Sequence, residues 1–178
     1  MAERRQKKRR KLVRLVRIPP PYFEVLGVAN VLFPALYQFE NGLRLSIHHF
    51  LKTCYGPDWW ATSLRAQLPK VFEYEAEQAA KLATTPWLGA SNAVAVLPVH
   101  LITLGHLEEI IKKYQSDCIP ELFPTLHFFL GHMESIKRVR NMYSHMFPCI
   151  SMKDAKLAKR EILTLAESLN TKLDGLLP

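Results

Sequence analysis

The clearest periodicity follows Pro34, where Leu36, Phe39, Leu43, Ile47, Phe50, Leu51 and Cys54 recur at steps of three and four. That spacing lays one apolar stripe along a helix. The helix is expected over about residues 25–55, with Pro34 kinking or dividing it and Gly56-Pro57 stopping it. Trp59-Trp60 comes next, as an indole pair closing the end of a core. Residues 63–82 look helical, acidic on one side through Glu73, Glu75 and Glu77, with Pro69 as a blemish. The 84–100 stretch, rich in Pro, Ser, Asn and small residues, is expected to be a loop packed on the body.

A third helix fits 102–115, with Leu104, Leu107, Ile110, Ile111 and Tyr114 inward and Glu108, Glu109, Lys112 and Lys113 outward. Pro120 and Pro124 mark the start of a fourth, about 121–145, striped by Leu126, Phe129, Leu130, Met133, Ile136, Val139 and Met142 or Tyr143. Pro148 breaks it. Ser151-x-x-Asp154 resembles a capping box, with Asp for the usual Glu, and opens a fifth helix over 152–173. Leu157, Ile162, Leu165, Ala166, Leu169 and Leu173 are its apolar residues, and Gly175 is placed to close it. No stretch alternates with period two. The expected fold is all-α, an antiparallel bundle of four to five helices.

Charge divides the chain more sharply than hydrophobicity does. The net charge is +8, and residues 1–17 hold nine of the 24 basic residues against one of the 16 acidic ones. The remainder carries 15 of each sign and is neutral. Residues 1–21 are therefore expected to be a basic tail ending in a stiff Pro19–Pro21 spacer, and 22–178 a single helical domain. Such a tail can hold a polyanion through counterion release, act as a localisation signal, or touch anionic lipid, the last being the less favoured. Arginines interrupt its apolar residues, which argues against a secretory leader.

The three cysteines, Cys54, Cys118 and Cys149, lie far apart with no C-x-x-C pair. This favours a reducing, intracellular setting, cytoplasmic or (in a eukaryote) nuclear, over a disulfide or zinc framework. Two apolar stretches, 25–39 and 86–105, are broken by Asn, Pro or His and are expected to be core rather than membrane spans. His48 and His49 are adjacent, so they point about 100° apart on a helix and cannot share a metal. His100, His106, His127 and His132 lack Cys or carboxylate partners at ligand spacing. Neither a Gly-rich phosphate loop nor a nucleophile elbow is present. No metal or cofactor is expected.

The candidate chemistry lies at the end of the fourth helix. Arg140 and Ser144 are four residues apart, as are Asn141 and His145, and Arg138 and Tyr143 flank them. A guanidinium is a fixed bidentate ligand for phosphate. An imidazole titrates near neutrality and can move a proton beside it. Together they meet the demands of phosphodiester cleavage by a neighbouring 2′-OH. Spacing alone does not separate this from a histidine that only caps the helix, and Arg44-x4-His49 is a second match to the same pattern.

The run Ile136-Lys137-Arg138-Val139-Arg140-Asn141-Met142-Tyr143-Ser144-His145, followed by a short loop and a capped helix, resembles the HEPN superfamily, whose signature is Arg, usually followed by a polar residue, and His after four to six intervening positions. Glu40-Asn41-Gly42-Leu43-Arg44 running into Phe50-Leu51 and Tyr55-Gly56-Pro57-Asp58-Trp59-Trp60 resembles the first-helix block of one branch, named for a nuclear transcript-surveillance endoribonuclease and its prokaryotic relatives. Leu101–Ile111 is similar to that branch's third-helix block, so the likeness covers about 22–174.

The resemblance implies a homodimer in which two Arg/His elements face one cleft. It also implies metal-independent RNA cleavage in a toxin, defence or RNA-processing role, with an antitoxin or regulatory protein as a further partner. It makes His145 the acid/base, Arg140 the phosphate and transition-state ligand and Asn141 an orienting group. Glu40 and Arg44 become a polar pair near the site, and Arg138, Tyr143 and Ser144 RNA-binding or supporting residues. Some HEPN toxins carry Tyr two places after the His; Phe147 stands there, which removes a modifiable hydroxyl. Many members of the superfamily only bind, so the alternative is a non-catalytic RNA-binding, regulatory or partner-binding module.

Overall fold

A computed structural model describes residues 20–84, 96–144 and 151–173, and among these every regular element is helical. Helix α1 spans Pro20–Tyr55, and a π-helical turn Trp60–Leu64 and a short helical turn Arg65–Gln67 lead to α2, Pro69–Ala83. A 3₁₀ turn, Pro98–Leu101, precedes α3 (Leu104–Lys113) and α4 (Gln115–Leu122). Two long helices close the chain, α5 (Leu126–Ser144) and α6 (Met152–Leu173).

The prolines behave differently from the sequence expectation. Pro34 lies inside an uninterrupted α1, and Pro20 and Pro21 belong to its first turn instead of an extended spacer. A proline is well tolerated there because its missing N–H would find no partner in any case. Pro69 likewise opens α2, where it was expected to interrupt a helix, and Leu68 takes the break with φ −137° and ψ 63°. Pro120 sits inside α4, whose buried Cys118, Ile119 and Leu122 anchor a short helix lying mostly in the gap the sequence reading left between its third and fourth helices. The α1 stop is as expected: Gly56 adopts φ +85°, the left-handed conformation that favours glycine.

The core is one continuous cluster. Leu43, Ile47 and Leu51 of α1, Leu107, Ile110 and Ile111 of α3, Phe129 and Met133 of α5, and Ile162 and Leu165 of α6 are all buried in it. Trp59 is fully buried and Trp60 nearly so, so the indole pair is part of the core and not a cover for its end. Their rings meet edge to face at 5.2 Å, and Trp60 Nε1 donates to Glu75 Oε2 at 3.3 Å, bringing one of the supposed outer acids inward. Cys54, expected on the apolar stripe, is exposed near the C-terminal end of α1, and Cys118 is buried. Cys149 and Gly175 lie outside the described residues.

Helix directions matter for the site. Gly27 lies against the Met152 methyl, and further along α1, Ala35, Phe39 and Gly42 line a small cavity with Ile162, Ala166 and Leu169. Sequence numbers rise together on both helices, so α1 and α6 run parallel, a departure from a wholly antiparallel bundle. Helix α5 precedes α6 by a short connection and pairs His132 with Glu161, so it is antiparallel to α6 and hence to α1. Ser151 caps α6, its Oγ accepting from Asp154 N at 3.1 Å while donating to the Asp154 carboxylate at 2.6 Å. Among the described residues no helix is long and apolar enough to cross a membrane.

Candidate functional site

Glu40, Arg44, His48 and Lys52 recur every four residues and so share one face of α1. Arg44 is buried on that face. Its Nε donates to Val99 O at 3.1 Å, and its Nη2 donates to Ile102 O and to Glu40 Oε2, each at 3.1 Å. The 97–106 segment that presents those carbonyls is folded by two histidines. His100 Nδ1 accepts from Leu97 N at 3.2 Å; His106 Nδ1 accepts from Thr103 N at 3.4 Å, while Thr103 Oγ1 accepts from His106 N at 3.2 Å. In both rings the accepting Nδ1 leaves the proton on Nε2.

The other Glu40 oxygen, Oε1, lies 3.6 Å from Arg140 Nε across the α1–α5 contact. One carboxylate thus joins two guanidiniums. Arg44 is buried with its Nε and Nη2 on protein acceptors, whereas the Arg140 side chain is 32% exposed. The triad carries one surplus positive charge, and Arg140 is the member through which solvent meets it.

A second node of the same design joins α3 to α5 at Lys137, one turn before Arg140. Glu108 is buried, and its Oε1 accepts from Lys112 Nζ at 2.5 Å while Lys137 Nζ lies 2.6 Å from Oε2. The Lys137 contact is an ion pair off the hydrogen-bond direction, since Oε2 lacks a well-aligned donor. Burial alone would raise the Glu108 carboxyl, but the two ammonium groups outweigh it and hold it below the usual carboxylate range. The sequence reading placed Glu108 outward with Glu109. Glu108 stands four residues from buried Leu104, on the inner face, and only its ion partners make that position tolerable. Lys137, Arg140, Asn141 and Ser144 follow at the i, i+3, i+4 and i+7 spacing of one α5 face.

The remaining expected site residues divide as follows. Arg44 is buried with its Nε and Nη2 donating to protein, an arrangement that suits a supporting role. The rival Arg44-x4-His49 match is also set aside, since His49 is exposed and Arg44 is enclosed. Asn141 and Arg138 are exposed. Arg138 adds to the low pKa of the Asp154 carboxyl, which is caused chiefly by the Ser151 hydroxyl. The side chains of Tyr143 and Ser144, and all of His145, lie outside the described residues. His132 proves to have a carboxylate partner, Glu161 on α6, and an edge-to-face contact with Phe128 at 4.5 Å. No group of three or more His, Cys, Asp or Glu placed to hold a metal occurs among the described residues.

No family model, curated protein or solved structure matches the chain.

Proposed function

We propose that the chain is a metal-independent endoribonuclease of HEPN type, acting as a homodimer through Arg140 and His145. The observation that carries the reading is the Glu40–Arg140 contact at 3.6 Å. It brings the first-helix block of the resemblance to the helix that bears Arg140, the juxtaposition that this reading calls for. The surplus charge of that triad supports binding of a phosphate at Arg140.

In this mechanism the ribose 2′-OH attacks the adjacent phosphorus and the bond to the 5′ oxygen breaks, leaving a 2′,3′-cyclic phosphate and a 5′-OH. With two copies of the element at one cleft, one His145 imidazole takes the 2′-OH proton. The other, as imidazolium, protonates the departing oxygen. Arg140 stabilises the charge that grows on the phosphoryl oxygens, and Asn141 orients it. A toxin, defence or RNA-processing role fits such an activity.

The test is direct. Purified protein in EDTA should cut single-stranded RNA to cyclic-phosphate ends; His145→Ala should abolish cutting and leave RNA affinity within about threefold, and Arg140→Ala should weaken both. RNA binding without cutting by the parent protein would replace the nuclease with a binding module.

A further inference from the structure

Two large aromatic side chains stand exposed on α1 beside the Glu40 node. Phe33 is 51% and Tyr37 61% exposed, and their rings lie 6.0 Å apart, tilted by 31°. Spacing by four places them on the face of α1 that carries Glu40 and Arg44 a turn later. There the face is covered by the 98–102 turn; at Phe33 and Tyr37 more than half of each residue is exposed. Tyr37 precedes Glu40 by three residues, roughly 4.5 Å along the helix axis. Because α5 is antiparallel to α1, its last turn, from Arg140 to Ser144, runs towards this pair. The order along the surface is thus Lys137 and Lys112 at Glu108, Arg140 at Glu40, then Tyr37 and Phe33.

Resting on the RNA-directed reading of Arg140, we infer that Tyr37, with Phe33 behind it, is a stacking platform for an unpaired nucleobase next to the phosphate held by Arg140. Charge complementarity selects this occupant over an apolar protein face. Each of the two adjoining triads has two cations to one carboxylate, which suits a phosphodiester backbone and opposes a cationic partner. A ring that is more than half exposed offers its face to any base, so the platform favours single strands without demanding a sequence. A base locked in a duplex cannot reach it. The site therefore distinguishes unpaired from paired RNA by stacking, and Arg140 contributes equally to both.

The experiment measures binding alone, in the His145→Ala background so that no cleavage intervenes, with fluorescein-labelled oligouridylate as single strand and the same strand paired to oligoadenylate as duplex. Tyr37→Ala should weaken single-strand binding about tenfold or more and leave duplex binding within twofold. Tyr37→Phe, which keeps the ring, should bind like the parent. Arg140→Ala should weaken both substrates. If Tyr37→Ala binds the single strand normally while Arg140→Ala does not, the platform is wrong and the RNA site stands. Equal weakening on both substrates would likewise overturn it. So would an RNA affinity unchanged per subunit accompanied by dissociation of a dimer in sedimentation, which would make the aromatic pair an interface between copies. Absence of RNA binding by the parent protein would remove the platform and the proposed function together.

Discussion

Glu40 and Arg140 meet across the α1–α5 contact at 3.6 Å, and the same carboxylate accepts from buried Arg44 at 3.1 Å. Removing it would leave Arg44 with two backbone carbonyls and no counter-charge. A half-buried ion pair broken on one side costs more than the pair itself contributes. Glu40→Ala should destabilise the protein by about 2 kcal/mol, read from urea denaturation. Glu40→Gln, which can still accept from Arg44, should lose less. A loss under about 0.5 kcal/mol for the alanine variant would show that the carbonyls alone hold Arg44.

Glu108 makes the other node, and its pH dependence has a definite sign. Its native carboxyl is held below the ordinary 4.5 by Lys112 and Lys137 against the cost of burial. The unfolded chain therefore takes up a proton first as pH falls. The contribution is present above about pH 4.5 and is lost as pH drops through the lower native value. Glu108→Gln should cost about 2 kcal/mol at neutral pH, allowing for the exposure of both lysines, and should flatten the acid limb of stability measured by urea denaturation at several pH values. An unchanged acid limb would assign it to other carboxylates.

Two histidines act nearer neutrality. Burial, then Lys52, His100 and His49, lower the His48 pKa below 6.5; burial and then Arg44 lower that of His100. Both rings stay neutral in the fold at pH values where the unfolded chain has already bound protons. Their contribution is complete above about 6.5 and declines as pH falls below it. His48 also has a buried Nδ1 without a hydrogen-bond partner among the described residues and a ring 5.9 Å from Trp59, so a phenyl group suits its surroundings. His48→Phe should reduce the fall in Tm between neutral and mildly acidic pH. A steeper fall in that variant would contradict the neutral-ring assignment.

The apolar stripes of α3, α5 and α6 were legible because they depend on residues within the same helix, and the prominent hydrophobes they named, such as Leu107, Phe129 and Leu165, are buried as expected. What escaped depended on distant partners. Glu108 looked like a surface residue because nothing local reveals Lys137, and the contact of His132 with Glu161 could not be read because Glu161 lies on another helix. Arg44 was visible as a polar residue near the site, but its partners are backbone carbonyls of Val99 and Ile102, which no side-chain pattern marks. Prolines misled in the other direction: Pro69 was weighed as a breaker when its position made it a first-turn residue. The resemblance put Glu40 and Arg44 near the site, but the contact of Glu40 with Arg140 is visible only in the structure, and periodicity could not have supplied it.

Two glycines give opposite signs for the same substitution. A methyl group at Gly56 would meet no atom within 4 Å, yet φ is +85°, so Gly56→Ala should cost about 1 kcal/mol through backbone strain alone. Gly42 lies inside α1 with the same open space, so Gly42→Ala should stabilise by up to about 1 kcal/mol. Thermal denaturation of the two single variants checks both. Destabilisation by Gly42→Ala would mean that the groove beside α6 needs the missing side chain.

The final prediction concerns the guanidinium itself. Arg140→Lys keeps the charge, and with it an ion pair to Glu40, so the fold should be unaffected within about 0.5 kcal/mol. Lysine, however, offers a point charge on a flexible stem in place of a planar fork matched to two phosphoryl oxygens. If Arg140 stabilises the charge developing on the scissile phosphate, the lysine variant should cleave RNA about 10- to 100-fold more slowly, mainly in kcat. A fall in affinity with kcat intact would place Arg140 in ground-state binding only. A fully active lysine variant would show that charge suffices and that the fork held against Glu40 has no part in the reaction.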